Sequence, residues 1–427
     1  MTTTRESTHG RTTVDPLLLA RLQFATTTSI HFLFVAVTLG LVTLLVGLQT
    51  AGFLTGKPVY ERLTRFWGQL YVINYVLGIA TGIVMEFQFG LNWSGLSRYV
   101  GNVFGAPLAI ETLVAFFLES TFLGMWIFGW HRLRRGVHLA LLWGVAITAY
   151  ASAFWIMVAN AWLQNPVGYE VRDGVAHLTD FGALLTNPTF GMAFGHVISA
   201  SLVTGGLLMA AVSAWHLLRR TSDYALFRTS LRLGLVTAAL AVSTLQGFGF
   251  AQFGPVAQLQ PTKFGGGPER DALVADWTAR FGPGDWDPPV LSNVGLGFMI
   301  LIGFTLGALW LLLPLLWRDW IIRLRFPLWL ILLGLPLPFV AMLLGWIARE
   351  VGRQPWAAYG LLPTAQAVSP VSPGLMLASL IGFSLLLGAL AVTNWTLLAR
   401  HAARGAHDPA LGRPPAPDTD PHHQPVL

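Results

Sequence analysis

His31, His196 and His216, Glu86, Glu111, Glu119 and Glu350, Arg349 and Met299 all stand inside long apolar stretches of the sequence. An ionisable group at the centre of a bilayer costs roughly 3 kcal/mol or more, so each of these needs a chemical reason to be there. The chain has no cysteine, which excludes disulfides, iron–sulfur clusters, thiolate metal sites and covalent c-type haem. Imidazole, thioether and carboxylate remain as ligands. His and Met are the usual axial ligands of haem iron, and a His–Met pair is a low-spin electron-transfer arrangement. Non-covalent haem is the natural cofactor for such a set. The carboxylates suit proton transfer: on a helix, Glu111 and Glu119 stand about 12 Å apart and about 80° around the axis, on one broad face.

The elements that must position these groups follow from composition. The chain has 427 residues, 54% hydrophobic and 11% charged, with a mean hydropathy of +0.59. Soluble domains carry roughly 25% charged residues. That deficit excludes a water-soluble enzyme, a disordered chain and a nucleic-acid-binding module. Nine stretches are long and apolar enough to span a bilayer, near 28–54, 68–92, 106–130, 139–163, 190–218, 233–253, 294–317, 326–350 and 374–399. The fold expected is all-α, a polytopic membrane bundle of nine transmembrane helices forming one domain. A polar N-terminal segment covers 1–27, with no cleavable signal before the first span. A tail over 400–427, rich in Pro, His and Asp, reads as disordered.

Lys and Arg divide sixteen to nine between the two sides, with Arg349 inside a span. The richer side reads as cytoplasmic, which places the C-terminus inside, the N-terminus outside and the longest loop, about 254–293, outside. On that topology His31, His196, Met299, Glu86, Glu111 and Glu350 collect at one depth, in the outer part of the membrane. Glu119 alone goes deeper, as a proton file would. Blander readings exist for single members. His216, beside Arg219, reads as a satisfied interfacial group, Met299 on spacing alone as core filler, and Glu86 and Glu350 as surface partners of Arg98 and Arg349. The clustering argues against taking them all that way.

Several strings resemble subunit I of cytochrome bd-type terminal oxidases. They are RLQFATTTSIHFLF from Arg21 to Phe34, MEFQFGLNW at 85–93, GAPLAIETLVAFFLES at 105–120, VANAWLQNP at 158–166, GWIARE at 345–350 and GRQPW at 352–356. They occur in family order, and the resemblance covers roughly residues 20–400. It implies a bacterial plasma-membrane, multi-pass subunit that oxidises quinol, or another donor, at the outer face and reduces O2 to water with cytoplasmic protons. The implied cofactors are a low-spin haem b, a high-spin haem b, and a haem d or further b-type haem. The resemblance makes His196 and Met299 the low-spin ligands. His31 and Glu350 become ligands of the high-spin haems, with their division between the two open. Glu111 and Glu119 become the proton-carrying pair, and Glu86 a further carboxylate beside the site. Trp346, Arg353 and Asn160 match residues near the haems. The implied partners are a second membrane subunit, small single-helix accessory subunits, quinol, O2 and the lipid bilayer, with no nucleic acid.

Two departures stand out. The quinol-oxidising loop of the family is normally longer and places a glutamate soon after a lysine; here QPTKF at 260–264 keeps Lys263, and the next acid is Glu269. The arginine expected two residues before the methionine ligand is Gly297. These two changes lie near the electron-entry haem and mark either another donor or a reshaped quinone pocket. The competing functions are a proton-coupled transporter, which broken-helix repeats would favour and the sequence lacks, and a haem-binding paralogue without oxidase activity.

Overall fold

The computed structural model describes residues 15–406 and 409–413. Among them nine helices are long and apolar enough to cross a membrane: α1 (Pro16–Thr55), α2 (Pro58–Leu91), α3 (Ser94–Phe128), α4 (Arg135–Gln164), α5 (Gly191–Leu218), α6 (Tyr224–Leu259), α7 (Leu291–Leu312), α8 (Phe326–Arg353) and α9 (Pro373–Arg404). Each contains one of the stretches expected from sequence or most of it. Proline at the first turn starts α1, α2 and α9 where its missing N–H costs nothing. The side chains of Asp15 and Ser372 cap α1 and α9.

The buried centre is α5 packed against α6 on one side and α1 on the other. Small residues bring these backbones together: a Cβ on Gly206 would lie 2.7 Å from Gly234 O, and one on Gly205 would lie 2.7 Å from Gly40 Cα. The remaining helices wrap this centre and turn apolar side chains outward. Two antiparallel ribbons add a little strand to the all-α bundle. Tyr169–Arg172 pairs with Val175–Leu178, and Trp356–Ala358 with Leu362–Pro363. Both lie at the end of the bundle that also carries the α2–α3 and α6–α7 connections.

Three boundaries differ from the sequence reading. Helix α1 begins at Pro16, so residues 16–27 belong to the first helix rather than to a separate polar segment; residues 1–14 lie outside the described residues. The helix tolerates Gln23 because its amide donates to Gln88 Oε1 of α2 at 3.0 Å. At 40 residues, α1 is about 60 Å long, far more than the roughly 30 Å of a hydrocarbon core. At the other end, α9 continues through Arg404, and residues 409–413 pack back onto the bundle. Gly412 O accepts from Arg65 at 2.8 Å, and Leu411 is buried. The rest of the expected disordered tail, 414–427, lies outside the described residues. The long 254–293 connection is itself folded: α6 runs on to Leu259, a tight turn covers Pro261–Lys263, and a further helix spans Pro268–Phe281.

Candidate functional site

Helices α5, α6, α7 and α8 surround a cavity with about 1510 Å³ unfilled by protein, part of it open to the surroundings. His196 of α5 and Met299 of α7 both line it. The imidazole is held by its Nδ1, which donates to Leu245 O at 2.9 Å. That bond fixes the tautomer and leaves Nε2 with its lone pair, the state a metal ligand requires. Glycines make room for both groups. A Cβ at Gly249 would lie 3.1 Å from the His196 ring, and one at Gly345 would lie 2.6 Å from Met299 Sδ. Trp346 and Arg349 of α8 and Phe32 of α1 line the same cavity. Phe32 stacks on Trp346 at 5.3 Å between ring centroids.

His31, one residue before Phe32, faces α2. Its Nδ1 lies 2.9 Å from Thr81 Oγ1. That hydroxyl donates to Gly78 O at 2.7 Å, so it accepts from the ring. His31 therefore has the same tautomer as His196, again with Nε2 free. His216 and His138 are used differently. His216 bonds to Ala402 O at 2.8 Å through Nε2, as an interfacial structural group. His138 engages both nitrogens, Nδ1 with Gln49 and Nε2 with Trp126 O.

Glu350 lies in the last turns of α8 within a buried polar network. Its carboxylate accepts from Asn160 Nδ2 at 2.9 Å and Gln164 Nε2 at 3.3 Å, both on α4, and from Arg353. Asn160 reaches Arg349 as well, through Oδ1 at 2.6 Å. Glu350 is thus paired with Arg353 rather than with Arg349. Lys263 joins from the tight turn: its Nζ lies 3.3 Å from Arg349 O and 3.4 Å from Gln260 Oε1. Gln260 in turn donates to Gln164, at 2.6 Å to its backbone oxygen. Burial pushes the Lys263 ammonium down to about 7, with Arg349 lowering it further, Glu350 opposing and Arg353 lowering it again. Lys263 also lines the cavity, whereas Glu269 is exposed on the first turn of Pro268–Phe281 and does not line it. The structure does not bring these two together at the cavity.

The remaining carboxylates lie on α2 and α3. In α3 the α-helix gives way to a π-helical turn over Glu111–Phe116, just after Pro107. Such turns re-aim side chains and recur at functional positions. Glu111 accepts from Ser152 Oγ at 2.7 Å and Thr112 Oγ1 at 3.1 Å. Glu119 is buried, and its Oε1 has no hydrogen-bond partner among the described residues. Glu86 is exposed on the side of α2 and forms no ion pair with a described residue, Arg98 included.

Sequence reasoning missed Thr81, Gln164 and Gln260, which orient the singled-out groups. Gln164 lies within the quoted string VANAWLQNP, so a string match was its available signal. Gln260 opens the quoted string QPTKF and had the same signal, whereas Thr81 lies in none of the quoted strings and has no spacing pattern of its own.

The family model for cytochrome bd terminal oxidase subunit I matches residues 19–267 and 283–406. The chain belongs to the cytochrome bd terminal oxidase subunit I family. It is 38% identical to cytochrome bd ubiquinol oxidase subunit 1 of Bacillus subtilis over 97% of this chain and 99% of that one. It is 34% identical to cytochrome bd-II ubiquinol oxidase subunit 1 of Escherichia coli, over 92% and 97% respectively. Among solved structures it is similar to the bd oxidase of Geobacillus thermodenitrificans, with a TM-score of 0.82, 26% identity, and 92% and 99% of the two chains covered. The chain is therefore a terminal-oxidase subunit, an oxidoreductase component of electron transport and a multi-pass protein of a bacterial membrane. The internal gap in that match, 268–282, coincides with the helix that bears Glu269. The departure in this loop is thus local, with the family matched on both sides of it.

Proposed function

We propose that this chain is the haem-carrying subunit of a cytochrome bd-type oxygen reductase, taking electrons from quinol and protons from the cytoplasm to reduce O2 to water. One observation carries the reading: His196, held by Nδ1 and with Nε2 free, lines the same large cavity as Met299. Among the described residues no three His, Cys, Asp or Glu side chains gather as a bare ion would need. A haem would need only one or two side-chain ligands from the protein, which is what His196 and Met299 offer.

Haem, when bound, supplies the electron storage and the iron at which O2 is reduced. The protein residues have separable tasks. His196 and Met299 would hold a low-spin haem b from α5 and α7. His31 and Glu350 would hold the high-spin haem b and the third haem, d or b. Trp346, stacked on Phe32 next to His31, lines the cavity. Asn160 and Arg353 fix the Glu350 carboxylate, each by a direct hydrogen bond. Lys263 beside the cavity, rather than Glu269, is the group placed to meet a quinol. Each O2 consumes four protons as well as four electrons. Glu119, buried with an unpaired oxygen, and Glu111, held by Ser152, form the file that would deliver the protons. The basic bias of the opposite end supports an external position for the His31–Glu350 end, with the C-terminus cytoplasmic.

Glu86 is exposed on α2 of the isolated chain, and a carboxylate does not face lipid without a partner. That supports a second membrane subunit over this face; small single-helix subunits would add to the same assembly. The test is pigment extraction from the purified two-subunit complex, with the haems identified as their pyridine adducts. Protohaem in the extract, together with quinol-driven O2 uptake, is expected. A colourless complex would overturn the reading, and a coloured one without O2 uptake would leave a haem-binding paralogue.

A further inference from the structure

Residues 313–325, which join α7 to α8, carry a feature that the oxidase chemistry does not use. The connection is short, so it runs where two spans leave the apolar layer. Its backbone turns through two consecutive left-handed residues, Arg318 at φ 51° and Asp319 at φ 61°, a conformation uncommon outside glycine. The turn sends two sequence neighbours in different directions. Asp319 pairs with Arg228 Nε at 2.7 Å and Arg232 Nη2 at 3.0 Å on α6. Arg318 stays exposed, with no ion pair to any described residue, and so does Arg323. Exposed indoles share the segment and the helix that follows it: Trp317 is 74% exposed, Trp320 53% and Trp329, on the first turn of α8, 55%. A cavity beside Arg318 is lined also by Arg232, Pro314 and Trp317.

We propose that this segment binds the headgroup of an anionic phospholipid. Guanidinium groups take phosphate oxygens in pairs, and tryptophans settle at headgroup level. Because Asp319 is spent on α6, it does not neutralise Arg318. Arg318 and Arg323 hold the phosphate, while the exposed indoles seat the segment at the membrane surface. A soluble phosphate would use the arginines and leave the indoles without a role, so the lipid is the better match.

The test is native mass spectrometry of the delipidated two-subunit complex. It is titrated with phosphatidylglycerol, with phosphatidylcholine, and with phosphatidylglycerol in the presence of inorganic phosphate. Wild type is expected to retain phosphatidylglycerol in preference to phosphatidylcholine. Arg318→Gln and Arg323→Gln should each weaken that retention about fivefold, the usual effect of one basic residue at an anionic surface. Arg172→Gln, exposed at the opposite end of the bundle, should leave it unchanged. Three results would overturn the proposal: equal retention of the two lipids by wild type, unchanged retention in the double variant, or displacement by inorganic phosphate, which would mark a soluble-anion site. The wild-type comparison stands even if the variants fold poorly.

Discussion

The Nδ1 of His31 on α1 lies 2.9 Å from the hydroxyl of Thr81 on α2, and that hydroxyl has already committed its own proton to Gly78 O. A helix–helix contact thus sets the tautomer of a proposed iron ligand. Thr81→Val keeps the shape and removes the acceptor. The loss of such a partner typically weakens metal binding about 10–100-fold. Titrating the apo complex with haem and reading the high-spin absorption should show weakened uptake, with the low-spin signal intact. Equal uptake in the variant would mean that Thr81 does not orient the ligand.

The approach of α8 to Met299 gives a second prediction. Gly345→Ala puts a methyl group 2.6 Å from the thioether sulfur, so the side chain must move. Overpacking of this kind costs about 1–3 kcal/mol. Gly334→Ala, whose Cβ meets nothing within 4 Å, is the control. The reduced spectrum of Gly345→Ala should show the low-spin band shifted or partly converted to high spin, while Gly334→Ala matches wild type. Identical spectra for the two variants would remove Met299 from the ligand set.

Lys263 predicts a pH dependence. Its folded-state pKa of about 7 lies below the usual lysine value of 10.5, so between those limits the unfolded chain binds more protons and stability rises with pH. The penalty for burying the cation is fully present below about pH 7 and is relieved toward pH 10.5. In Lys263→Met that rise disappears. Thermal unfolding of both proteins from pH 7 to 10 should show wild type gaining on the variant as pH increases. Parallel curves would place the lysine in water.

Gln164 connects the tight turn at Gln260 with the Glu350 carboxylate. Gln164→Leu leaves a buried carboxylate one donor short, at a cost of about 1–3 kcal/mol. Asn160→Leu removes a nearer donor, at 2.9 Å against 3.3 Å, and should cost at least as much. Their ranking by thermal unfolding checks the network; a larger loss in Gln164→Leu would reverse it.

Much of this architecture is legible in the residues themselves. Nine apolar stretches gave nine spans because bilayer thickness fixes helix length. His31, His196, Met299 and Glu350 drew attention because ligand-type side chains in apolar stretches are costly. What escaped depends on tertiary contact. Residues 16–27 read as part of the polar N-terminal segment until Gln88 is seen to satisfy Gln23. Glu269 is the first acid after Lys263 in the sequence, yet beyond the glycines between them the new helix carries it away from the cavity. Thr81, Gln164 and Gln260 are ordinary polar residues whose roles exist only once neighbouring helices are in place. The pairing of Glu350 with Arg353 instead of Arg349 is an i,i+3 contact in the last turn of α8, where neighbours one residue apart face different ways; that spacing was legible in the sequence.

The central claim is that His196 and Met299 hold a low-spin haem in the cavity between α5 and α7. Its most direct test is the dithionite-reduced minus oxidised spectrum of the purified two-subunit complex, wild type against His196→Ala. The variant is expected to lose the low-spin b band and keep the high-spin bands. A variant spectrum identical to that of wild type would contradict it.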